Sequence, residues 1–206
     1  RRTCRANRME VAETMLPPSP LVLDLDGGVL PLAQARVLAL PRWHDPLRFA
    51  CSNATLRRFA DEVLSPLPPR LGTVMLGSGD FRHLSLPLLQ RLPARPRFQL
   101  VVLDNHPDNM RFPLGMHCGS WVNAASKLPL VSHVHVLGIT SSDIWLGHAW
   151  ENHWRPLLGG KLTYWCMDVD VRWGARVGLG RAFRRFEHPE ALLAAFAAEQ
   201  ASAPQP

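Results

Sequence analysis

Short apolar runs rich in β-branched residues recur along the chain at 21–25, 73–76, 98–103, 133–139 and 162–167, and each is expected to form a buried strand. Between them lie stretches with helical spacing. The clearest is 53–64, where Leu56, Phe59, Ala60, Val63 and Leu64 repeat at helical intervals behind the cap candidates Ser52 and Asn53, before Pro66 ends the pattern. Further helices are expected at 84–92 (which holds Pro87), at 119–127, and at 189–199, an Ala-rich segment with Pro near its first turn. Alternation of this kind predicts an α/β fold, with a mainly parallel sheet and helices on its faces. Residues 1–20 have no apolar period and end in Pro17, Pro18 and Pro20, so they are expected to be a flexible leader. Residues 21–200 are expected to form a single α/β domain, and 201–206 a disordered tail.

The composition supports one globular domain: 206 residues, 47% hydrophobic and 19% charged. The longest apolar runs are broken by Asp24 and Asp104, far short of the roughly 18–20 residues a membrane helix needs. No secretory signal is read at the N-terminus, and the expectation is a cytoplasmic protein without a membrane partner. Cys4, Cys51, Cys118 and Cys166 are widely spaced and form no C-x-x-C pair, which predicts reduced thiols rather than a zinc clip or a disulfide framework. The net charge is +6, but the arginines are scattered as short pairs rather than gathered in a stripe. Nucleic-acid binding is therefore not expected.

Candidate chemistry gathers where the strands end. Asp24 and Asp26, Asp80 and His83, Asp104 with His106 and Asp108, and Asp168 with Asp170 each follow an expected strand. In open parallel sheets ligands bind at the carboxyl ends of the strands, so these groups should converge. Convergent carboxylates repel one another and take up protons unless a cation sits among them. Asp104, His106 and Asp108 fall at i, i+2 and i+4, which in an extended segment turns two carboxylates and an imidazole to one side. Such a donor set suits Mn, Fe or Zn; the plainer reading is two carboxylates capping the next helix. Asp168 and Asp170 repeat the spacing, and solvated turn residues explain them equally well. Gly77 to His83 reads as a turn that brings an acid and an imidazole to a ligand, or as a turn alone. His117 has the chemistry of a proton shuttle, though a lone His is more often structural. The aromatic stretch 145–154 reads as a packed cover, a lid over the site, or an interface for a homo-oligomer.

These motifs resemble those of the ureohydrolases, the arginase and agmatinase superfamily, with this chain as a divergent and C-terminally short member. The D-x-H-x-D motif matches Asp104, His106 and Asp108. The G-G-D-H motif resembles Gly77 to His83, the S-x-D-x-D motif resembles Cys166 to Asp170, and the shuttle segment resembles His117-Cys118-Gly119. The resemblance implies a three-layer α/β/α sandwich and a pair of Mn2+ ions held by His83, Asp104, His106, Asp108, Asp168 and Asp170, with His117 protonating the leaving amine. The implied reaction is hydrolysis of a non-peptide C–N bond in a small guanidino or amide substrate. Two alternatives stand beside it. One is an arginase-like scaffold that has lost its metals and binds a ligand or partner. The other is a phosphatase of haloacid-dehalogenase type, since Leu21 to Leu30 resembles that family's first motif, with Asp24 as nucleophile and Asp26 as acid/base.

Overall fold

The structure is a computed structural model that describes residues 18–202. Its strands form two parallel sheets and a small antiparallel ribbon. The first sheet has the order β2-β1-β4, built from β1 (Leu21–Asp24), β2 (Arg36–Ala39) and β4 (Val74–Met75). The second has the order β5-β7-β8-β9, from β5 (Phe98–Leu103), β7 (Val131–Ile139), β8 (Leu162–Met167) and β9 (Phe183–Phe186), all parallel. The ribbon pairs β3 (Ala50–Cys51) with β6 (Met116–His117). The chain is thus of the α/β class with parallel sheets, as the alternation predicts.

β8 shows why its run is apolar apart from Thr163, whose hydroxyl is 2.9 Å from His133 Nε2. Leu162, Tyr164 and Cys166 face the main core, whereas Trp165 faces the opposite side, beneath the C-terminal helix with Leu137 and Leu192. A parallel strand covered on both faces has no polar side to show in its sequence. Tyr164 stacks on Phe183 at 5.5 Å and Trp165 on Phe186 at 5.7 Å, so aromatic cross-strand pairs tie β8 to β9.

The helices are α1 (His44–Leu47), α2 (Asn53–Phe59), α3 (Ser85–Gln90), α4 (Trp121–Ala125), α5 (Trp154–Leu158), α6 (Trp173–Arg176) and α7 (Pro189–Ser202). α2 begins where its cap predicts: Ser52 Oγ accepts the Thr55 N–H at 3.0 Å. It runs on through a wider turn over Ala60–Leu64 and buries Leu56, Phe59, Val63 and Leu64. Phe59 is fully buried, with the Trp43 ring edge-on at 5.3 Å, and contributes about 1.5–3 kcal/mol of apolar burial. The helix expected at 84–92 is preceded by a tight 3-10 turn, Gly79–Leu84. Three residues per turn send the neighbours Arg82 and His83 in directions about 120° apart.

Several expectations change. β5 was expected to be buried, yet Gln99, Val101 and Leu103 are exposed: it is an edge strand, and no described residue covers that face. β2 and β9 were missed because β2 is a largely exposed edge and β9 carries Arg184 and Arg185 between its aromatic ends. α7 extends through Ser202, so Ala201 and Ser202 belong to a helix rather than a tail. Most of the leader and Cys4 lie outside the described residues; Cys51, Cys118 and Cys166 are buried free thiols, as expected. No described helix is long and apolar enough to cross a membrane.

Candidate functional site

The carboxyl ends of the two sheets meet. After β1 the chain turns through Asp26, whose Oδ2 accepts the Ser78 N–H beyond β4 at 3.0 Å. Beyond that turn Arg82 donates from Nη1 to Asp104 Oδ2 at the end of β5, and after β7 the N–H groups of Thr140 and Ser141 donate to Asn105 O. A cleft of about 240 Å³ opens here. His106, Asp108, Arg82 and His117 line it, with Asp143 and Glu151 on another wall. Its volume lies below the roughly 300–1,000 Å³ of pockets for drug-sized ligands, which restricts an occupant to a small molecule.

Asp104 and Asp108 share Arg82. The same Nη1 that bonds Asp104 lies 3.5 Å from Asp108 Oδ2, and that oxygen also accepts the Trp121 Nε1–H at 2.8 Å. The other oxygen, Asp108 Oδ1, is buried with no partner. Burial, with some help from Asp104, outweighs the Arg82 charge and pushes the Asp108 carboxyl up to about 7. Asp108 also has φ +44°, a left-handed conformation that Asp adopts more readily than most residues. Asp104 Oδ1 accepts the His106 N–H at 2.9 Å, and His106 Nδ1 stands 3.4 Å from the same oxygen without a hydrogen bond.

His117 is oriented by its own turn. Its Nδ1 accepts the Gly119 N–H at 2.9 Å, which assigns the proton of the neutral ring to Nε2. Burial, then the nearby Arg82 charge, lowers its pKa. His83 is fully buried with neither ring nitrogen bonded, and burial pushes it down to about 4, with His117 adding to the shift. It lies close to the cleft rather than among its lining residues.

The other two expected ligands are placed elsewhere. Asp168 and Asp170 follow β8 and are exposed; Asp168 has φ +54°. Asp170 accepts from Arg172 Nη2 at 2.8 Å and Nε at 3.0 Å, which holds its carboxyl well below the usual range, and it lines a separate depression with Trp145 and Arg176. The structure thus gathers Asp104, His106, Asp108 and His117, keeps His83 close by, and does not bring Asp168 and Asp170 into the same cleft. Asp24 and Asp26 also have local work: Asp24 Oδ1 accepts the Gly27 N–H and Asp26 Oδ1 the Gly28 N–H, each at 2.9 Å. The stretch 145–154 gives the cleft Glu151 and Asn152, while Trp145 and Trp150 are exposed.

Arg82, Asn109, Asp143 and Asn152 escaped the sequence reading. Asn109 Nδ2 donates to Tyr164 OH at 2.8 Å and His153 O at 2.9 Å, and Asn152 Nδ2 donates to Asp143 O at 2.9 Å. Both leave a buried Oδ1 unbonded. Only Arg82 had a sequence signal, a cation in a turn of Gly, Asp and His residues.

The donors here are chemically suited to a divalent cation: two carboxylates, a neighbouring imidazole, and a lone pair on the buried Asp108 Oδ1 that nothing satisfies. As they stand they serve Arg82, and among the described residues no group of three or more His, Cys, Asp or Glu is drawn together as a metal site. The residues fit one ion, in exchange for Arg82, better than a pair.

Comparison with known proteins adds one relative. A Thermotoga maritima protein described as "Uncharacterized protein" is 33% identical over 114 residues, which are 53% of this chain and 46% of that protein. The match thus spans less than half of the relative's length. No family model matches the chain, and no solved structure matches it significantly.

Proposed function

We propose that the protein is a hydrolase of non-peptide C–N bonds in a small guanidino or amide compound, built on an arginase-like three-layer sandwich and dependent on a divalent ion such as Mn2+. The observation that carries this reading is the convergence of His106, Asp108 and His117 on one small cleft, with Asp104 joined to it through Arg82 and the buried Asp108 Oδ1 left unbonded. Asp104, Asp108 and His106 would hold the ion. It would supply Lewis acidity, acidifying water and polarising the carbon under attack. The second ion that the resemblance implies would draw on Asp168 and Asp170, which stand outside the cleft.

The remaining roles belong to side chains. His117, with Nδ1 engaged by Gly119 N–H, presents Nε2–H as a hydrogen-bond donor to the leaving nitrogen; to pass that proton on, the ring must take one at Nδ1 in place of the Gly119 contact, so that a neutral imidazole is left. Asp108 is held by the Trp121 indole. Asp143 and Glu151 give their wall of the cleft a negative field that favours a cationic substrate.

Arg82 favours a second reading. A permanent cation already bridges Asp104 and Asp108, as expected of a scaffold that keeps the fold and binds a ligand or partner without catalysis. Metal content separates the two. Protein expressed with Mn2+ and purified without chelators is analysed by inductively coupled plasma mass spectrometry, beside Asp104→Asn and Arg82→Gln. The hydrolase reading expects about one ion per chain, lost in Asp104→Asn with the circular dichroism spectrum unchanged. No ion in either the parent or Arg82→Gln overturns it in favour of the binding protein.

A further inference from the structure

An apolar groove of about 520 Å³ lies between β4 and β5, each of which is paired on one side only. Leu71 and Val74 wall it from the segment that carries β4, Leu88 and Leu89 from α3, and Leu100 and Val101 from β5. The volume falls within the roughly 300–1,000 Å³ of small-molecule pockets. The groove shares no lining residue with the cleft of Asp108. Trp121 stands between the two, on the groove as a lining residue and on Asp108 through its Nε1–H.

The charged residue of the groove is Arg91, which follows α3. Its Nη2 donates to Leu67 O at 2.8 Å and to Pro68 O at 2.9 Å, which fixes the guanidinium in place. Its Nη1 is buried without a hydrogen-bond partner, and Arg91 has no carboxylate partner among the described residues. A permanent cation with a donor shut off from water calls for an anionic acceptor. Ser85 is the other polar side chain of the lining, and the rest offers apolar contact.

We propose that this groove binds a free fatty acid, with the alkyl chain along the apolar walls and the carboxylate accepting from Arg91 Nη1. A sugar or a nucleotide would bury hydroxyls or base edges for which Ser85 and Arg91 are the polar side chains at hand. A neutral hydrocarbon would leave Nη1 unpaired. A carboxylate on a single unbranched chain meets both needs, and its hydrogen bond to the guanidinium is charge-assisted. The site stands apart from the hydrolase reading, since none of its lining residues enters that chemistry except Trp121, against which the bound chain packs.

The test is isothermal titration calorimetry of the full chain with octanoate, decanoate and dodecanoate below their micelle concentrations, with decanol as the neutral counterpart of decanoate. The expected result is one site per chain whose affinity rises about tenfold for every two methylene groups added. Arg91→Gln weakens decanoate about tenfold or more and leaves decanol unchanged. Val101 is 43% exposed on the strand edge, so Val101→Glu keeps the fold, checked by circular dichroism, and puts a carboxylate on the wall that abolishes binding of both compounds. This variant decides the matter even if Arg91→Gln loosens the 67–68 turn that Arg91 ties. The proposal is overturned if no acid binds saturably, or if decanol binds as tightly as decanoate. Decanoate bound by either folded variant as tightly as by the parent is adsorption elsewhere on the surface and overturns it equally.

Discussion

Replacing Arg82 with glutamine removes the cation shared by Asp104 and Asp108 while keeping a side chain of similar reach. At the 3.5 Å separation between Arg82 and Asp108, one unit charge pair is worth about 5 kcal/mol gross at an effective dielectric of about 20. Desolvation opposes much of that, and breaking a buried pair by removing one member typically costs about 3–5 kcal/mol. Arg82 and Asp104 keep some solvent contact, and Asp108, already pushed up to about 7, relieves the strain by taking a proton. The expected loss without metal is therefore nearer 2–3 kcal/mol, or about 5–10 °C in melting temperature for a domain of this size. Mn2+ should reverse it. An ion at about 100 times its dissociation constant adds about 2.7 kcal/mol, and in Arg82→Gln none of this is spent displacing a guanidinium. Thermal melts of both proteins in EDTA and in MnCl2 provide the assay. The reasoning fails if Arg82→Gln melts with the parent in EDTA, since the ion pair then holds nothing, or if Mn2+ moves neither melt.

His83→Leu should leave stability at pH 7 unchanged or raise it by up to about 1 kcal/mol, because both ring nitrogens are buried without a partner. The imidazole is held neutral at about 4 against its usual 6.5, so its share of stability is intact above pH 6.5 and is lost as pH falls from 6.5 towards 4; urea titrations at pH 7 and 4.5 should show a smaller acid loss in the variant. His135, also pushed down to about 4 by burial, contributes to the acid loss that remains, together with His117, His133 and His153, which burial also lowers. A variant as acid-sensitive as the parent would refute the assignment. Asp170→Asn should change neither bound metal nor melting temperature, since that carboxylate is exposed and tied to its neighbour Arg172; loss of the ion on this substitution would return Asp170 to the site.

The parallel α/β class was legible because β1, β7 and β8 are largely buried and read as mainly apolar runs, interrupted in β7 by His133 and His135 and in β8 by Thr163. Where a strand is half covered, the signal misled in both directions. β5 has the run Phe98 to Leu103 and was expected to be buried, yet its sequence is that of a strand with neighbours on both sides, whereas among the described residues it has one. β2 lies in the apolar run Val37 to Leu40, yet as an edge strand it buries little of it. The division into two sheets was invisible, because which strands pair is decided by long-range packing and not by either edge strand's own residues.

The site was legible where local spacing decides it. His106 and Asp108 line one cleft with Asp104 beside it on Arg82, brought together by nearness in sequence through a bend at Asn105 and His106 and the left-handed Asp108 rather than by extended alternation. It was not legible where long-range geometry decides. Asp168 and Asp170 have the same spacing at the end of β8, but β8 is separated from β5 by β7, and strands about 4.8 Å apart place its end about 10 Å from Asp104. At that distance Arg172, two residues along, is the nearer cation for Asp170. The least legible element was Arg82. No spacing rule announces that an arginine takes the place that a convergent acid pair offers to a metal ion, although the electrostatic need is the same for both. Two carboxylates as close as Asp104 and Asp108 require positive charge from some source. A guanidinium supplied by the fold is always present and fixed in number, whereas an ion must be captured from solution, so the balance between them sets whether this cleft works as a catalyst or as a closed ion pair.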